Sequence, residues 1–348
     1  MSKRVLLGMS GGVDSSASAV ILKQKGYEVI GATMKLCDEG CTINHVNDAK
    51  KVCDKLNIEH YTFDCRKEFK NHVINDFIDC YQNAKTPNPC IECNKYLKFG
   101  QFYKKCEELE CDYLATGHYA KIEYSEKYKQ HVLKKANDEK KDQSYFLYRL
   151  PRNILSKIIF PLEEYSSKEE IRNIARENDL LVAEKKESQE ICFIPNDDYV
   201  SYIKHNSNTK FKPGNIVHSS GEILGKHNGI INYTIGQRKG LGISYKEPLY
   251  VLRLDKQKNE VIVGAKKELY TTQVLVENLN YLVEDLENKE IQVEAKVRYR
   301  AKPAKAVLYP LENNKAKFIF EEPQRAITPG QSLVFYIEDV VIGGGKIV

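Results

Sequence analysis

Two kinds of residue in this chain could do chemistry: a glycine–serine loop suited to phosphate, and cysteines placed where a thiol could be displayed. The string SGGVDSS, residues 10–16, follows a short apolar run and opens a helical pattern. Gly11 and Gly12 permit a tight turn and close backbone approach, and free N–H groups at a helix start face an anion. Ser10, Ser15 and Ser16 add hydroxyl donors. No Lys-Ser or Lys-Thr follows the glycines, so this is not a Walker loop. The plain alternative is a strand-to-helix turn with Asp14 or Ser15 as N-cap.

The chain has ten cysteines. In a reducing compartment, spaced cysteines point to metal or redox chemistry rather than a disulfide framework. Cys90 and Cys93 form a C-x-x-C after Thr-Pro-Asn-Pro. Pro87 and Pro89 predict an extended loop that displays both thiols. Lys95, and a helix beginning after Cys93, are expected to lower a thiol pKa toward the reactive thiolate. A zinc site is the competing reading, with Cys37 and Cys41 as further ligands. Cys192 lies between Ile191 and Phe193 and, taken alone, reads as core. Cys53, Cys65, Cys80, Cys106 and Cys111 read as core as well.

The elements that must position these groups change character along the chain. Strand and helix patterns alternate in the first half, which predicts a doubly wound parallel α/β sheet. Ligands bind at the carboxyl ends of such strands, where Ser10, Met34 and Gly117 fall. Beyond about residue 205, short strands separated by Gly, Asn, Asp and Pro turns predict small antiparallel barrels. The expected domains are a catalytic domain over 1–205, a small β domain over 206–270 and a β-barrel over 271–348. Net charge is +5, with 53 basic and 48 acidic residues. That charge permits nucleic-acid binding without demanding it. Residues 295–311 hold no acidic side chain but carry Lys296, Arg298, Arg300, Lys302 and Lys305. A phosphate-contacting surface and a solvated strand face both fit that stretch. With no signal-peptide core and no membrane-length apolar run, a cytoplasmic protein without a membrane partner is expected.

The loop at 10–16 resembles the PP-loop of N-type ATP pyrophosphatases. That resemblance implies attack on the α-phosphate, release of pyrophosphate and an adenylated substrate oxygen. Six further strings accompany TPNP-x-x-x-CN (86–94): ATGHYA (115–120), KDQSYFL (141–147), SQEICFI (188–194), YTIGQRKGLG (233–242), KVRYR (296–300) and EPQRAITPGQ, ending at Gln331. In order and spacing, nearly the whole chain resembles the bacterial tRNA-specific 2-thiouridylases.

The resemblance implies ATP- and Mg2+-dependent adenylation of O2 of the wobble uridine in tRNA. Sulfur then passes from a cysteine persulfide to C2, giving 2-thiouridine, AMP and pyrophosphate. A cysteine desulfurase or a sulfur-relay protein supplies the sulfur. Cys192 would carry the persulfide, and Cys93 would be the second catalytic thiol, able to form a disulfide with Cys192. ATP would be held by Gly8, Met9, Ser10, Gly11, Gly12, Val13, Asp14, Ser15, Met34 and Gly117. His118, Lys141, Asp142, Gln143, Arg298, Tyr299, Arg300 and Gln331 would contact tRNA. Asn88, Pro89 and Cys90 would lie against the target base.

Cys90 departs from the pattern, since many members have aspartate there. Cysteine is the weaker proton-transfer group and the better metal ligand. The same reaction could therefore run on a [4Fe-4S] cluster held by Cys90, Cys93 and Cys192, with one iron left open.

Overall fold

Val5, Leu6 and Leu7 are fully buried, and their strand lies in the middle of the first sheet. The computed structural model describes residues 2–37, 43–165, 167–185 and 191–348. Strand β1 (Arg4–Gly8) leads into α1 (Val13–Gln24), β2 (Glu28–Lys35), α2 (Ile43–Lys55) and β3 (Glu59–Asp64). After a helical insert come β4 (Tyr113–Thr116) and, later, the short β7 (Ile158–Ile159). The sheet order is β3-β2-β1-β4-β7 and every pairing is parallel. Val5 and Leu7 pack on one face while Leu6 packs on the other, so both faces are covered. That double burial is why these strands are continuous apolar runs rather than alternating ones. The expected α/β architecture is present.

The insert carries the cysteine motif. It comprises α3 (Arg66–Phe69), a π turn (Lys70–Ile74), α4 (Asn75–Gln82), α5 (Pro89–Cys93), a π segment (Asn94–Gln101) and α6 (Phe102–Glu108).

Between β4 and β7, strands β5 (Lys121–Ser125) and β6 (Gln130–Lys134) form a hairpin. β6 also pairs with the last strand of the chain at Val340, so the hairpin extends the C-terminal sheet. A cut at residue 205 therefore does not separate the sheets cleanly. Two more helices follow, α7 (Lys168–Glu177) and α8 (Tyr199–Asn206).

The central unit has β8 (Gly214–His218), β9 (Ile223–His227), β10 (Tyr250–Asp255) and β11 (Glu260–Gly264), ordered β10-β11-β8-β9. β11 runs parallel to β8, so the purely antiparallel expectation fails here. The long connection over 228–249 supplies the crossover that a parallel pair requires.

The last six strands are β12 (Tyr270–Tyr281), β13 (Ile291–Lys296), β14 (Ala304–Leu311), β15 (Lys315–Arg325), β16 (Ser332–Ile337) and β17 (Val340–Ile347). They are ordered β12-β15-β14-β13-β16-β17, and β17 pairs back onto β12 to close a barrel. Arg298, Tyr299 and Arg300 lie past the end of β13, in a turn, rather than on a basic strand. Among the described residues no helix is long and apolar enough to cross a membrane.

Helix α7 starts with a true side-chain cap, because Ser167 Oγ accepts from the Glu170 N–H at 3.1 Å. Ser167→Ala is expected to lower unfolding free energy by about 1 kcal/mol. Urea denaturation followed by circular dichroism checks this.

Candidate active site

Helix α1 has Gly12 as its N-cap and no side-chain cap. Its first N–H groups are thus left for an anion. Asp14 and Ser15, the caps of the plain-turn alternative, lie inside the helix. Ser15 Oγ and Ser16 Oγ both donate to the Gly12 carbonyl, at 3.1 and 2.9 Å, and the Ser10 N–H donates to Ser15 Oγ at 3.2 Å. These two buried hydroxyls brace the loop, and Ser10 remains exposed. Gly11 has φ +68°, and a Cβ there would stand 2.6 Å from the His45 carbonyl oxygen. Only glycine suits that position. Gly117, just past β4, packs against the loop, with its Cβ position 3.1 Å from Ser15 N. Met9 is tied to β2 through Ala32 O at 2.7 Å, and Met34 lies half-buried near the end of β2. The residues from Gly8 to Ser15 and Gly117 are therefore gathered in one place.

Three residues absent from the sequence reading join them. Lys168 Nζ meets both oxygens of Asp14, at 2.6 and 2.7 Å, and Tyr119 OH donates to Asp14 Oδ1 at 2.7 Å. Lys185 Nζ donates to the Gly11 carbonyl at 3.0 Å and pairs with Asp48 at 2.8 Å. Both lysines come from more than 150 residues downstream. The one local hint was Ser167 followed by Glu170, the signature of a helix start that places Lys168 first.

The thiol motif folds differently from expectation. The chain is extended only as far as Asn88, and Pro89 begins α5. Proline tolerates that place because its missing N–H has no intrahelical partner to lose. Cys90 is exposed, while Cys93 is half-buried. Cys192 is exposed, beside a Phe193 ring held 5.4 Å from each of Phe69, Phe77 and Tyr202. Cys93, Ile191 and Phe193 all pack into that one cluster. The two thiols expected to act together thus belong to one neighbourhood.

Burial pushes the Cys93 thiol up to about 12. The expected depression toward thiolate is therefore not found: desolvation outweighs the available positive charge. That charge is Lys98 rather than Lys95, whose amine lies over the Tyr96 ring. The π segment sets its bonds five residues apart, and Lys98 is five residues after Cys93. Lys98 also lies 3.5 Å from His118 Nε2, while His118 Nδ1 meets Thr116 Oγ1 at 2.8 Å. Burial, then Lys98, hold His118 well below the ordinary histidine pKa, so it is neutral at pH 7.

Among the described residues no three His, Cys, Asp or Glu side chains are gathered to hold a metal. Cys90, Cys93 and Cys192 are close enough to sense each other's charge but do not form a cluster-ligand set. Cys37 is in a disulfide, which removes it as a zinc ligand. Cys41 and Ser188–Glu190 lie outside the described residues. Cys53, Cys65, Cys80 and Cys106 are buried as expected, and Cys111 is half-buried.

Several residues expected to contact tRNA are engaged within the protein. Asp142 is buried and accepts from Ala136 N, Ser144 N and Ser144 Oγ at 2.9–3.1 Å. Gln143 Oε1 accepts from Tyr119 N at 3.1 Å. The buried Lys141 amine sits 5.1 Å from the centre of the Tyr119 ring without a hydrogen-bond partner. Arg298 donates to the carbonyls of Arg325 and Ala326. Gln331 Nε2 donates to Thr86 O and Pro87 O, both at 3.0 Å. Arg300 is exposed. Tyr299 packs on Phe146 at 4.4 Å, and the Phe146 carbonyl accepts from Asn94, next to Cys93. The Tyr299 turn is thereby connected to the thiol helix.

Three family descriptions match the chain in succession. A tRNA methyl transferase HUP domain matches residues 3–196, a tRNA methyl transferase PRC-barrel domain 201–265, and an aminomethyltransferase β-barrel domain 271–347. Curated relatives named tRNA-specific 2-thiouridylase MnmA match from end to end. One from Clostridium botulinum is 48% identical, over 99% of this chain and 98% of its own. One from Clostridium beijerinckii is 47% identical, over 100% and 99%. A third, from Clostridioides difficile, is 45% identical, over 100% and 98%. With identity at that level across all three structural units, the chain belongs to the tRNA-specific 2-thiouridylase family.

Proposed function

We propose that this chain is an ATP-dependent tRNA-uridine 2-sulfurtransferase acting in the cytoplasm. The observation that carries the reading is the pairing, in one chain, of an uncapped helix start flanked by two lysines with a Cys93 thiol that shares its neighbourhood with Cys192. ATP binds with its phosphates at the N-terminus of α1, where Gly11 and Gly12 let the backbone approach and Lys168 and Lys185 supply charge. Asp14 is the only carboxylate in the loop and would be the residue to hold a Mg2+. That ion would offset phosphate charge as pyrophosphate leaves.

O2 of the wobble uridine attacks the α-phosphate, and the P–O bond to pyrophosphate breaks. The base must leave its stack to reach the site, and Tyr299 offers a ring for stacking. A persulfide on Cys192, loaded by a cysteine desulfurase or relay protein, adds its terminal sulfur to C2. AMP departs with the electron pair of the C2–O2 bond. The Cys93 thiolate then attacks the Cys192 sulfur, and the electron pair of the broken S–S bond stays with the sulfur on C2. The resulting Cys93–Cys192 disulfide is reduced by an external thiol.

Asp14→Ala is expected to cut tRNA-stimulated AMP formation by about a hundredfold, and Lys168→Met to raise the ATP KM by about tenfold. Both are read from pyrophosphate and AMP release. Cys93→Ala and Cys192→Ala should each abolish 2-thiouridine, measured by nucleoside mass spectrometry, while tRNA binding and pyrophosphate release on adenylation persist. Normal thiolation in both variants would overturn the assignment. Because burial holds the Cys93 thiol far above neutrality, its alkylation should quicken by about tenfold per pH unit from pH 7 to 9. Peptide mass spectrometry after iodoacetamide treatment checks this.

A further inference from the structure

The C-terminal barrel touches the thiol helix through its last strand and through the turn that leads into β16. Lys346, on β17, reaches Glu92 Oε1 at 3.1 Å and Asp76 Oδ1 at 3.1 Å. Glu92 sits on α5 between Cys90 and Cys93 and is only 4% exposed. Arg149 contacts the same Glu92 oxygen. Burial works against the Lys346 charge, but Glu92 and Asp76 outweigh it and hold its pKa above the usual lysine value.

A second contact lies just before α5. The Thr86 N–H donates to Pro329 O at 2.9 Å, and Gln331 holds Thr86 O and Pro87 O. Gly330 has φ +88°, and a Cβ there would stand 2.9 Å from Lys85 Cβ and 3.0 Å from Thr86 N. The two contacts are one unit: Gly330 N donates to Ile347 O and Ile347 N donates to Gln331 O, beside Lys346.

We infer that Lys346 and the 329–331 turn are positioning elements of the thiol site, so that the barrel is part of the catalytic centre as well as an RNA-facing module. The inference rests on the reading of Cys93 as the second catalytic thiol. Two separate grips fix α5: one on its buried carboxylate, one on the residues that lead into it. A helix held at both points cannot slide or rotate without exposing or unpairing Glu92. Displacement of a reacting group by about 1 Å costs on the order of a hundredfold in rate.

The test uses the full chain with Lys346→Met, Lys346→Arg and Gly330→Ala. Two quantities are read: iodoacetamide labelling of Cys93, and single-turnover sulfur transfer from preloaded persulfide. Lys346→Met and Gly330→Ala should each speed labelling by about threefold or more and slow transfer by about tenfold or more. The tRNA Kd and pyrophosphate release on adenylation should stay within about twofold of the parent, because neither contact touches the phosphate loop. Lys346→Arg should restore both readouts to within about threefold, since it keeps the charge.

Parent-like labelling and transfer in Lys346→Met would overturn the inference. So would equal impairment in Lys346→Met and Lys346→Arg, which marks a general structural role. If Lys346→Met does not fold, Gly330→Ala decides alone, by the same thresholds. A parent protein that makes no 2-thiouridine would defeat the functional proposal, and the labelling arm would still decide this inference.

Discussion

Glu92 is a buried carboxylate between two cysteines, and it is tolerable only because Arg149 and Lys346 reach it from two other parts of the chain. A buried charge stripped of its partners is strongly destabilising, by about 3–5 kcal/mol. The short helix Pro89–Cys93 therefore takes its place from residues that fold elsewhere: Arg149 after the β5–β6 hairpin and Lys346 on the last strand. The hairpin also extends the barrel sheet, so the same two regions are joined twice. This makes the parallel-sheet domain and the barrel a mechanical unit around the thiols.

The electrostatics of that unit favour a resting state. Desolvation keeps Cys93 protonated, with Lys98 as the opposing influence. Lys98 in turn sits beside His118, whose burial keeps it neutral, so His118 adds no positive charge beside the lysine. A thiol held this way is a poor nucleophile until its surroundings change. At the other end, Asp14 and the Gly11 carbonyl hold Lys168 and Lys185 at the edge of the helix start. Positive charge is thus held next to the uncapped start of α1.

Much of this was legible in the residues themselves. The alternation of apolar runs and helix patterns announced a parallel sheet, because burial on both faces removes the usual strand alternation. Gly11 announced its own role, since a positive φ with a carbonyl 2.6 Å from the Cβ position leaves no other residue type. The proline-rich lead into Cys90 was misread. Pro89 can end an extended segment or open a helix, and the local string does not distinguish the two. Lys95 was named for its closeness in sequence to Cys93, and the π segment brings Lys98 to the thiols instead by changing the residue spacing of the turn. The polar atoms of Asp142, Gln143 and Gln331 were read as RNA-facing, and the fold engages them with its own backbone.

The sequence by itself determined the chemistry on offer: a phosphate loop, two separated thiol motifs, and the family to which their order and spacing belong. Those are properties of contiguous strings, where residue type and local backbone suffice. Only the tertiary structure decided which charges accompany each group. Lys168 and Lys185 meet the loop from more than 150 residues away, and Lys346 meets Glu92 from the far end of the chain. Such pairings depend on strand order and helix packing, which bring distant segments together and have no local signature. Burial of the Cys93 thiol, and hence its protonated state, follows from the same packing.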